Sequence, residues 1–359
     1  MHRREDGDKD RDARLERFLR EVAVARWGYT AAVARVDADG RVVARAAAWD
    51  RGEPPVDERS RFDLASLTKP FVATLAAELD AAGRLPLDRE IGELIPAAHP
   101  GLARRTLDDL LRHRSGLLPW APLYAGGGGV RSAQRAVAGV IAEPRWWGAR
   151  RGTYSDLGYL VFGVAVRAAL GRTVGELMAS SGWGVSVQPG AAADVVRSRL
   201  DTGREVELAA RLGIALEPLG PPRRGRAQDG NARTLGGVPG HAGLFADLDA
   251  VSALGRAWLT VLGGGSGAGG LDRDGAKRAL AGAGSYARGW RRATRRGSAG
   301  LALSAAAFGH DGFTGGSLWI DPDRRCSMVL LGHRRDERLD LRPLRRGFHR
   351  LALRLAAPP

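Results

Sequence analysis

Ser66 and Lys69 are the residues of this sequence best suited to chemistry. A serine hydroxyl is a poor nucleophile until another group takes its proton. Residues three apart on a helix share one face, so an amine at position 69 can reach the hydroxyl at position 66 without help from distant segments. The spacing indicates a serine nucleophile with its own activating group. Ser-x-x-Lys alone is a weak signal, so the interpretation depends on the surrounding elements.

The helix that would hold this pair is predicted from about residue 64 to 83. Val72 and Leu75 lie on its apolar stripe. Pro70 fits a helix only in the first turn, where backbone N–H groups lack helical partners in any case. Ser66 is therefore expected at the helix N-terminus, where the macrodipole favours developing negative charge.

Two later segments carry polar residues between glycines. Tyr154 and Asp156 lie in the segment 152–158, GTYSDLG, and His310 lies in the segment 309–315, GHDGFTG. With Ser66, and in this order, they resemble the Ser-x-x-Lys, Tyr-x-Asn and Lys-Thr-Gly motifs of class C β-lactamases, penicillin-binding peptidases and related esterases. The linking segments 110–117 and 240–245 resemble the same family, so the resemblance covers nearly the whole chain.

The resemblance implies an acyl-enzyme mechanism. Ser66 would attack an acyl carbonyl, and Tyr154, its phenol acidified by the Lys69 cation, would act as general base and acid. The family's oxyanion hole uses two backbone amides, which correspond here to Ser66 and to Phe313, directly after Gly312. No cofactor is implied.

The sequence departs from the family pattern at two positions. Asp156 replaces the asparagine, and an ionised carboxylate only accepts hydrogen bonds, so it is expected to hold Lys69 charged and to repel anionic substrates. His310 replaces the lysine that receives a substrate carboxylate, and a largely neutral histidine is the weaker anchor. We therefore expect neutral short-chain esters to be better substrates than carboxylate-bearing β-lactams. Anionic substrates should improve as the pH falls towards about 6 and His310 gains charge.

Each of these residues also has a purely structural interpretation. Ser66, Lys69 and Tyr154 could combine helix capping with chance packing. Asp156 could stabilise a local turn, and His310 could be a strand histidine without a substrate role.

The scattered histidines lack the spacing of a metal site. His113 and His241 are expected to organise loops, and no metal is predicted.

Charge composition suggests a different class of partner. The formal net charge is +15 and the pI is near 11.1, which is typical of proteins that bind nucleic acid or anionic membranes. Only three of the 55 basic residues are lysines, and the arginines are scattered through an Ala/Gly/Arg-rich chain, as GC-biased coding produces. None lies in a helix-turn-helix or aromatic RNA motif. No specific nucleic-acid partner is predicted.

The sequence also bears on membranes and localisation. It has no run of about eighteen apolar residues, and its charged N-terminus lacks the apolar segment of a secretory signal. We therefore predict no membrane association and a cytoplasmic protein, unless a misassigned start codon hides an export signal.

The pattern of elements predicts an α+β fold. Residues 1–13 are expected to form a disordered tail, because alternating charges without apolar periodicity cannot be buried. Strands predicted near both ends of the chain, in 29–49 and in 316–331, would join one antiparallel sheet flanked by helices. Residues 14–357 would form a single catalytic domain, with a sheet lobe at about 14–63 and 236–357 and an inserted helical lobe at about 64–235. The family resemblance implies a β-lactamase/transpeptidase-like fold.

Three functions fit these observations. The leading hypothesis is a serine hydrolase that acts on a small-molecule ester or amide, with an esterase-like or D-amino-acid peptidase-like substrate. The alternatives are a non-catalytic member of the same scaffold and a basic protein associated with nucleic acid. The segments 118–150 and 260–300, which would set specificity, match no pattern, and the sequence defines neither the natural acyl group nor the oligomeric state.

Overall fold

The structure is a computed structural model that describes residues 2–127, 129–267 and 270–357. The strands are β1 (Tyr29–Ala38), β2 (Arg41–Trp49), β3 (Phe62–Asp63), β4 (Ser186–Val187), β5 (Leu244–Ala246), β6 (Arg291–Arg292), β7 (Phe308–Asp311), β8 (Gly315–Asp321) and β9 (Cys326–Arg334). The helices are α1 (His2–Phe18), α2 (Thr68–Ala81), α3 (Ile91–Leu94), α4 (Pro100–Ala103), α5 (Leu107–Leu111), α6 (Gly129–Ala142), α7 (Asp156–Leu170), α8 (Val174–Ala179), α9 (Gly203–Arg211), α10 (Gly230–Thr234), α11 (Leu248–Leu262), α12 (Arg273–Leu280) and α13 (Arg342–Ala356). A π-helical segment covers Leu19–Arg26, and 3₁₀ turns cover Ala65–Leu67 and Pro144–Trp146.

None of the described helices combines the length and apolarity needed to cross a bilayer.

Six strands form one sheet in the order β2-β1-β9-β8-β7-β6, and every neighbouring pair is antiparallel. The hairpin of β1 and β2 turns at Asp39 and Gly40, which both have positive φ, a conformation that suits glycine and aspartate. β1 lies against β9, so the two ends of the chain meet in the middle of the sheet. The predicted antiparallel sheet with flanking helices is confirmed.

Both faces of this sheet are covered. Successive side chains of a strand point to opposite faces. In β1, Val33 joins the core cluster that includes α2 and α11, whereas Ala34 joins the cluster that includes α1 and α13. β9 divides in the same way, with Val329 in the first cluster and Leu330 in the second. The sheet is therefore the middle layer between two sets of helices.

The segment between α2 and β5 carries short helices and part of a small second sheet, with the strand order β3-β5-β4. Its longest helix is α7. The Ser155 hydroxyl caps α7 by accepting a hydrogen bond from Gly158 N at 3.2 Å, and Gly171 ends it in the left-handed conformation. The cap fixes the residues just before and after Ser155. The boundaries of a sheet lobe and a helical lobe stay a prediction.

The N-terminus differs from expectation. Residues 2–13, expected as a disordered tail, belong to helix α1. Oppositely charged side chains three or four residues apart support this helix, such as Arg11 with Asp8 at 3.4 Å. Asp12 also accepts a hydrogen bond from Arg45 N on β2 at 2.7 Å, and Leu15 is fully buried in the core. These tertiary contacts order a segment that has no apolar periodicity of its own.

Candidate active site

Ser66 lies in a constrained turn next to β7 and β8. It occupies the 3₁₀ turn Ala65–Leu67, which leads directly into α2. Ala65 has a φ of +46°, in the left-handed region that is unfavourable for a residue with a side chain. Its N–H donates to the buried carboxylate of Asp63 at 2.9 Å, which helps to hold this conformation. The turn fixes the direction in which the serine hydroxyl enters the cleft.

Two polar side chains converge on the serine hydroxyl. Lys69 Nζ lies 3.0 Å from Ser66 Oγ, and Tyr154 Oη lies 2.9 Å from the same oxygen. Lys69 reaches it from one turn along the chain, whereas Tyr154 comes from the segment just before α7. The three residues singled out from the sequence therefore meet at one atom.

Lys69 is fully buried and surrounded by partners. Its ammonium group donates to His241 O at 2.9 Å and lies 2.7 Å from Asp156 Oδ1. Burial lowers the pKa of Lys69, because a dry environment disfavours the charged form, and the Asp156 carboxylate opposes this effect. The lysine is thus held at one position while its proton becomes easier to remove.

Tyr154 does not have the acidified phenol expected from its neighbour Lys69. Burial and then the Asp156 carboxylate raise the pKa of Tyr154 well above its usual value of 10, and these two effects outweigh that of the Arg291 cation. The phenol is therefore neutral in the resting site. Its ring packs against His113, with ring centroids 4.5 Å apart, and His113 Nδ1 accepts a hydrogen bond from Ser155 N at 3.0 Å. The predicted loop-organising role of His113 is confirmed.

Asp156 is the first residue of α7, and its carboxylate points to Lys69 rather than into a local turn. This ion pair is the contact that the replacement of asparagine by aspartate was expected to make. Asp156 is also part of the cleft wall, next to Ser66 and Tyr154. One oxygen of Asp156 therefore pairs with Lys69, and the carboxylate still contributes negative charge to the cleft.

His310 stays neutral, which corrects the expectation that it gains charge near pH 6. It lies on β7 with 1% of its surface exposed, and its Nδ1 lies 2.9 Å from Asp311 O. Burial, together with the Arg291 and Lys69 cations, lowers the pKa of His310 well below 6.5. Its other nitrogen, Nε2, is buried and has no partner. The ring packs 6.0 Å from the ring of Tyr154.

Gly312 and Phe313 lie in the turn between β7 and β8, and they line the same cleft as Ser66. A Cβ atom on Gly312 would lie 2.7 Å from Leu64 O, so only glycine permits this close approach to the nucleophile turn. The buried Arg345 of α13 donates to Gly312 O at 2.9 Å and Gly316 O at 3.1 Å. The turn is therefore fixed from both sides.

The cleft holding these residues has a volume of about 540 Å³. The sequence predicts a site short of positive charge. Six arginines form part of the wall, Arg204, Arg291, Arg296, Arg334, Arg342 and Arg345, and so do six acidic residues, Asp156, Glu205, Asp229, Asp311, Glu337 and Asp340. The six arginines come from four separate segments of the chain, so no local sequence motif predicts that they meet. In the described part of the chain, no group of three or more His, Cys, Asp and Glu side chains could hold a metal ion.

Comparison with known proteins identifies the family of the chain. The model of the Beta-lactamase family matches residues 16–349. The chain belongs to this family. Over 352 residues it is 26% identical to an N-acetylmuramyl-L-alanine amidase of Bacillus subtilis (strain 168), covering 86% of this chain and 78% of the relative.

Two solved structures share the β-lactamase-family fold. The first is EstCE1, described as a hydrolase with promiscuous acyltransferase activity, with a TM-score of 0.71, 19% identity, and coverage of 96% of this chain and 98% of the other. The second is a class C β-lactamase from Rhodobacter sphaeroides, with a TM-score of 0.69, 17% identity, and coverage of 94% and 98%. At these identities the likeness shows the fold alone.

Within this β-lactamase-family site, sequence reasoning missed two features. The first is a pair behind Lys69, in which His241 Nε2 lies 2.9 Å from Asp229 Oδ1 while the His241 carbonyl accepts from the lysine. The His241 side chain thus contacts Asp229, before α10, while only its backbone carbonyl contacts Lys69. The loop-organising role of His241 stays a prediction. The second is Arg291, one arginine among many in the sequence. Its place on β6 becomes apparent only when that strand joins the sheet.

Proposed function

We propose that the protein is a serine hydrolase that cleaves an ester or an amide through an acyl-enzyme intermediate on Ser66. The observation that carries this proposal is the convergence of Lys69 and Tyr154 on the serine oxygen, at 3.0 and 2.9 Å. A nucleophile within hydrogen-bond reach of its base, with that base held by a third group, is the arrangement covalent catalysis requires. Here the third group is Asp156, on Lys69.

In the acylation step, the pair starts with a neutral Tyr154 phenol and a neutral Lys69 amine. Ser66 Oγ forms a bond to the carbonyl carbon and passes its proton to this pair, which then holds the Lys69 ammonium group. The carbonyl oxygen becomes an oxyanion, which the backbone amides of Ser66 and Phe313 would receive. When the carbon–oxygen or carbon–nitrogen bond breaks, the leaving group takes that proton from the pair. Water then repeats the sequence, releases the acid and restores the serine hydroxyl.

The pair acts as one base. Burial disfavours both the lysine cation and the tyrosine anion, so the resting form with a neutral phenol and a readily deprotonated lysine costs least. Both groups contact the same serine oxygen, and a proton taken by either can pass to the other. This assigns the proton to the pair rather than to an acidified Tyr154 alone.

The substrate class we propose is that of an esterase or a D-amino-acid peptidase-like enzyme. The relative named as an N-acetylmuramyl-L-alanine amidase supports chemistry on an amide bond. The cleft of about 540 Å³ is large enough for a ligand of that size.

Reaction with a fluorophosphonate probe, followed by intact-mass measurement, tests this proposal. The wild-type protein should gain one adduct, and Ser66→Ala should gain none and lose at least about 1,000-fold in the hydrolysis of 4-nitrophenyl acetate. Ser298→Ala is the matched control, because Ser298 lines the same cleft but bonds to Asp311, and it should still be labelled. An adduct on Ser66→Ala would exclude Ser66 as the sole nucleophile. A wild-type protein without any adduct would instead favour a non-catalytic member of the scaffold.

A further inference from the structure

Arg345 is a buried arginine whose side chain contacts the backbone carbonyls of a single turn. It lies on α13 with 7% of its surface exposed. Its Nη2 lies 2.9 Å from Gly312 O, 3.1 Å from Gly316 O and 3.3 Å from Gly315 O, all in or beside the turn between β7 and β8. A hydrogen bond from a charged donor is roughly twice as strong as one between neutral groups. The shortest of these contacts, to Gly312 O, therefore places a cation directly on one carbonyl of the turn.

The Gly312 carbonyl belongs to the same peptide unit as the Phe313 N–H. A trans peptide is planar, and its C=O and N–H bonds point in opposite directions. Because Arg345 binds the carbonyl end, the N–H end is directed away from Arg345. Phe313 lines the cleft together with Ser66, and among the described residues its N–H has no hydrogen-bond acceptor. One end of this peptide is thus bound to a cation, and the other end is available to a substrate.

The turn is also connected to the segment that carries the nucleophile. Thr314 Oγ1 donates to Asp63 O at 2.8 Å, and Asp63 lies just before the 3₁₀ turn of Ser66. Gly312 N donates to Gly316 O at 2.7 Å, which closes the turn. These contacts fix the position of the turn relative to the serine. Arg345 adds a constraint on the rotation of the one peptide plane whose N–H would face the oxyanion.

Asp311 holds the guanidinium group in place. Its Oδ1 lies 3.6 Å from Arg345 Nε, and its carboxylate accepts from Ser298 Oγ at 2.6 Å and from Trp319 Nε1 at 3.3 Å. Burial acts to raise the pKa of Asp311, but Arg345 and then Arg291 hold it below its ordinary value. The carboxylate is therefore ionised and orients Arg345. The guanidinium lies closer to the Gly312 carbonyl than to this carboxylate, so the turn receives the closer contact.

We propose that Arg345 is a positioning residue of the oxyanion hole, which orients and polarises the Gly312–Phe313 peptide so that the Phe313 N–H becomes a stronger donor. A cation at the carbonyl oxygen withdraws electron density from the peptide, and hydrogen bonds linked through one group strengthen each other by roughly 10–30%. The oxyanion exists only during the chemical step, so this effect should appear in the rate of acylation and not in substrate binding. The inference rests on the proposed hydrolase function and adds a residue that never touches the substrate oxygen.

Single-turnover release of 4-nitrophenolate from 4-nitrophenyl acetate tests the inference, because it measures the acylation rate constant and the substrate dissociation constant separately. Arg345→Met should lower the rate constant at least about tenfold and leave the dissociation constant within about twofold. Arg345→Lys keeps a cation but not the planar group, and it should recover part of the rate. Arg346→Met is the matched control. Arg346 is the next residue of α13 and donates to Gly297 O at 3.0 Å and Arg296 O at 2.7 Å, in a different loop, so its rate should stay near the wild-type value.

An infrared spectrum of the acyl-enzyme supplies a second readout that a loss of stability alone would not change. The acyl-enzyme is formed with cinnamoyl imidazole that is isotope-labelled at its carbonyl carbon. Stronger donation to a carbonyl oxygen lowers its stretching frequency, so the band should lie at higher frequency in Arg345→Met than in the wild-type protein. Arg346→Met should show the wild-type band.

The outcomes separate this inference from the proposed function. If Arg345→Met acylates at the wild-type rate, or changes only the dissociation constant, and its carbonyl band does not move, the inference is overturned while the hydrolase function stands. If Arg345→Met does not fold, Arg345→Lys decides: slower acylation with a raised band supports the inference, and wild-type values for both contradict it. A wild-type protein that forms no acyl-enzyme and takes no fluorophosphonate overturns the function, and the inference with it.

Discussion

Lys69 and Arg291 are the two cations beside the Tyr154 ring, at 5.0 and 5.2 Å from its centroid, yet their surroundings are opposite. Lys69 is fully buried and contacts a hydroxyl, a carbonyl and a carboxylate. In the described part of the molecule, Arg291 meets only aromatic faces and no carboxylate. The hydrogen-bond donors of Lys69 are thus all used within the site, whereas the Arg291 guanidinium has N–H groups that are not used.

The two side chains are also held in place by different interactions. Lys69 is fixed by hydrogen bonds and charge, so its position and its pKa depend on the same partners. Arg291 is fixed by stacking, which places the guanidinium without consuming its hydrogen-bonding capacity. Changes around Lys69 should therefore alter the chemical step.

The largest expected effect comes from removing the base. Lys69→Ala and Tyr154→Phe should each lower kcat/KM for 4-nitrophenyl acetate by about 1,000-fold, because the serine proton then has no complete acceptor. The double variant should lose little more than the worse single variant, since residues that act as a unit are strongly non-additive. Steady-state kinetics on the four proteins would reveal this. Multiplicative losses would show that the two residues act independently.

A smaller effect is expected from neutralising the partner of Lys69. The Asp156 carboxylate raises the pKa of Lys69 and that of Tyr154, so Asp156→Asn should lower both. The base form of the pair would then persist at lower pH, and the acidic limb of the kcat/KM profile for a neutral ester should move to lower pH.

Asp109→Asn is the control for this shift. It removes a carboxylate that pairs with Arg151 at 3.3 Å rather than with Lys69, and its profile should match that of the wild-type protein. An unchanged acidic limb in Asp156→Asn would mean that the titrating group is not the Lys69–Tyr154 pair.

The sequence predicts the part of the site that depends on local geometry and on the spacing of family motifs. Ser66 and Lys69 share one helical turn, and Pro70 marks that turn as the first of the helix. The hairpin and the two C-terminal strands follow from alternation and turn residues, which led to the correct antiparallel sheet.

The other features of the site depend on tertiary contacts. The phenol of Tyr154 was expected to be acidic because one cation lies near it, but burial and the Asp156 carboxylate determine its pKa. Arg291 enters the site only through the pairing of β6 with β7. Burial and long-range pairing have no signature in a single sequence, so the electrostatics of the cleft could not be predicted although its nucleophile could.

Glu205 extends the comparison to a buried carboxyl group without a basic partner in the described residues. This residue of α9 lines the cleft and is buried, and its carboxylate accepts from Tyr124 Oη at 2.8 Å and Gly230 N at 2.9 Å. Within the described residues no basic side chain lies within 4.0 Å of it. Burial and then the Asp229 charge raise the pKa of Glu205 to about 8, from an ordinary value of 4.5, against the weaker effect of Arg233.

The smallest expected effect therefore appears in stability. The folded protein keeps the Glu205 proton up to about pH 8, whereas the unfolded chain releases it near pH 4.5, so stability should fall as the pH rises through this window. Glu205→Gln removes that penalty, and its Tm should match the wild-type value at pH 5 and exceed it by at least about 2 °C at pH 9. Glu207→Gln, an exposed change on the same helix at a residue paired with Arg204, should leave both values unchanged. If the Glu205→Gln and wild-type Tm values instead coincide at pH 9, the carboxylate carries its charge without cost and the parallel with Arg291 fails.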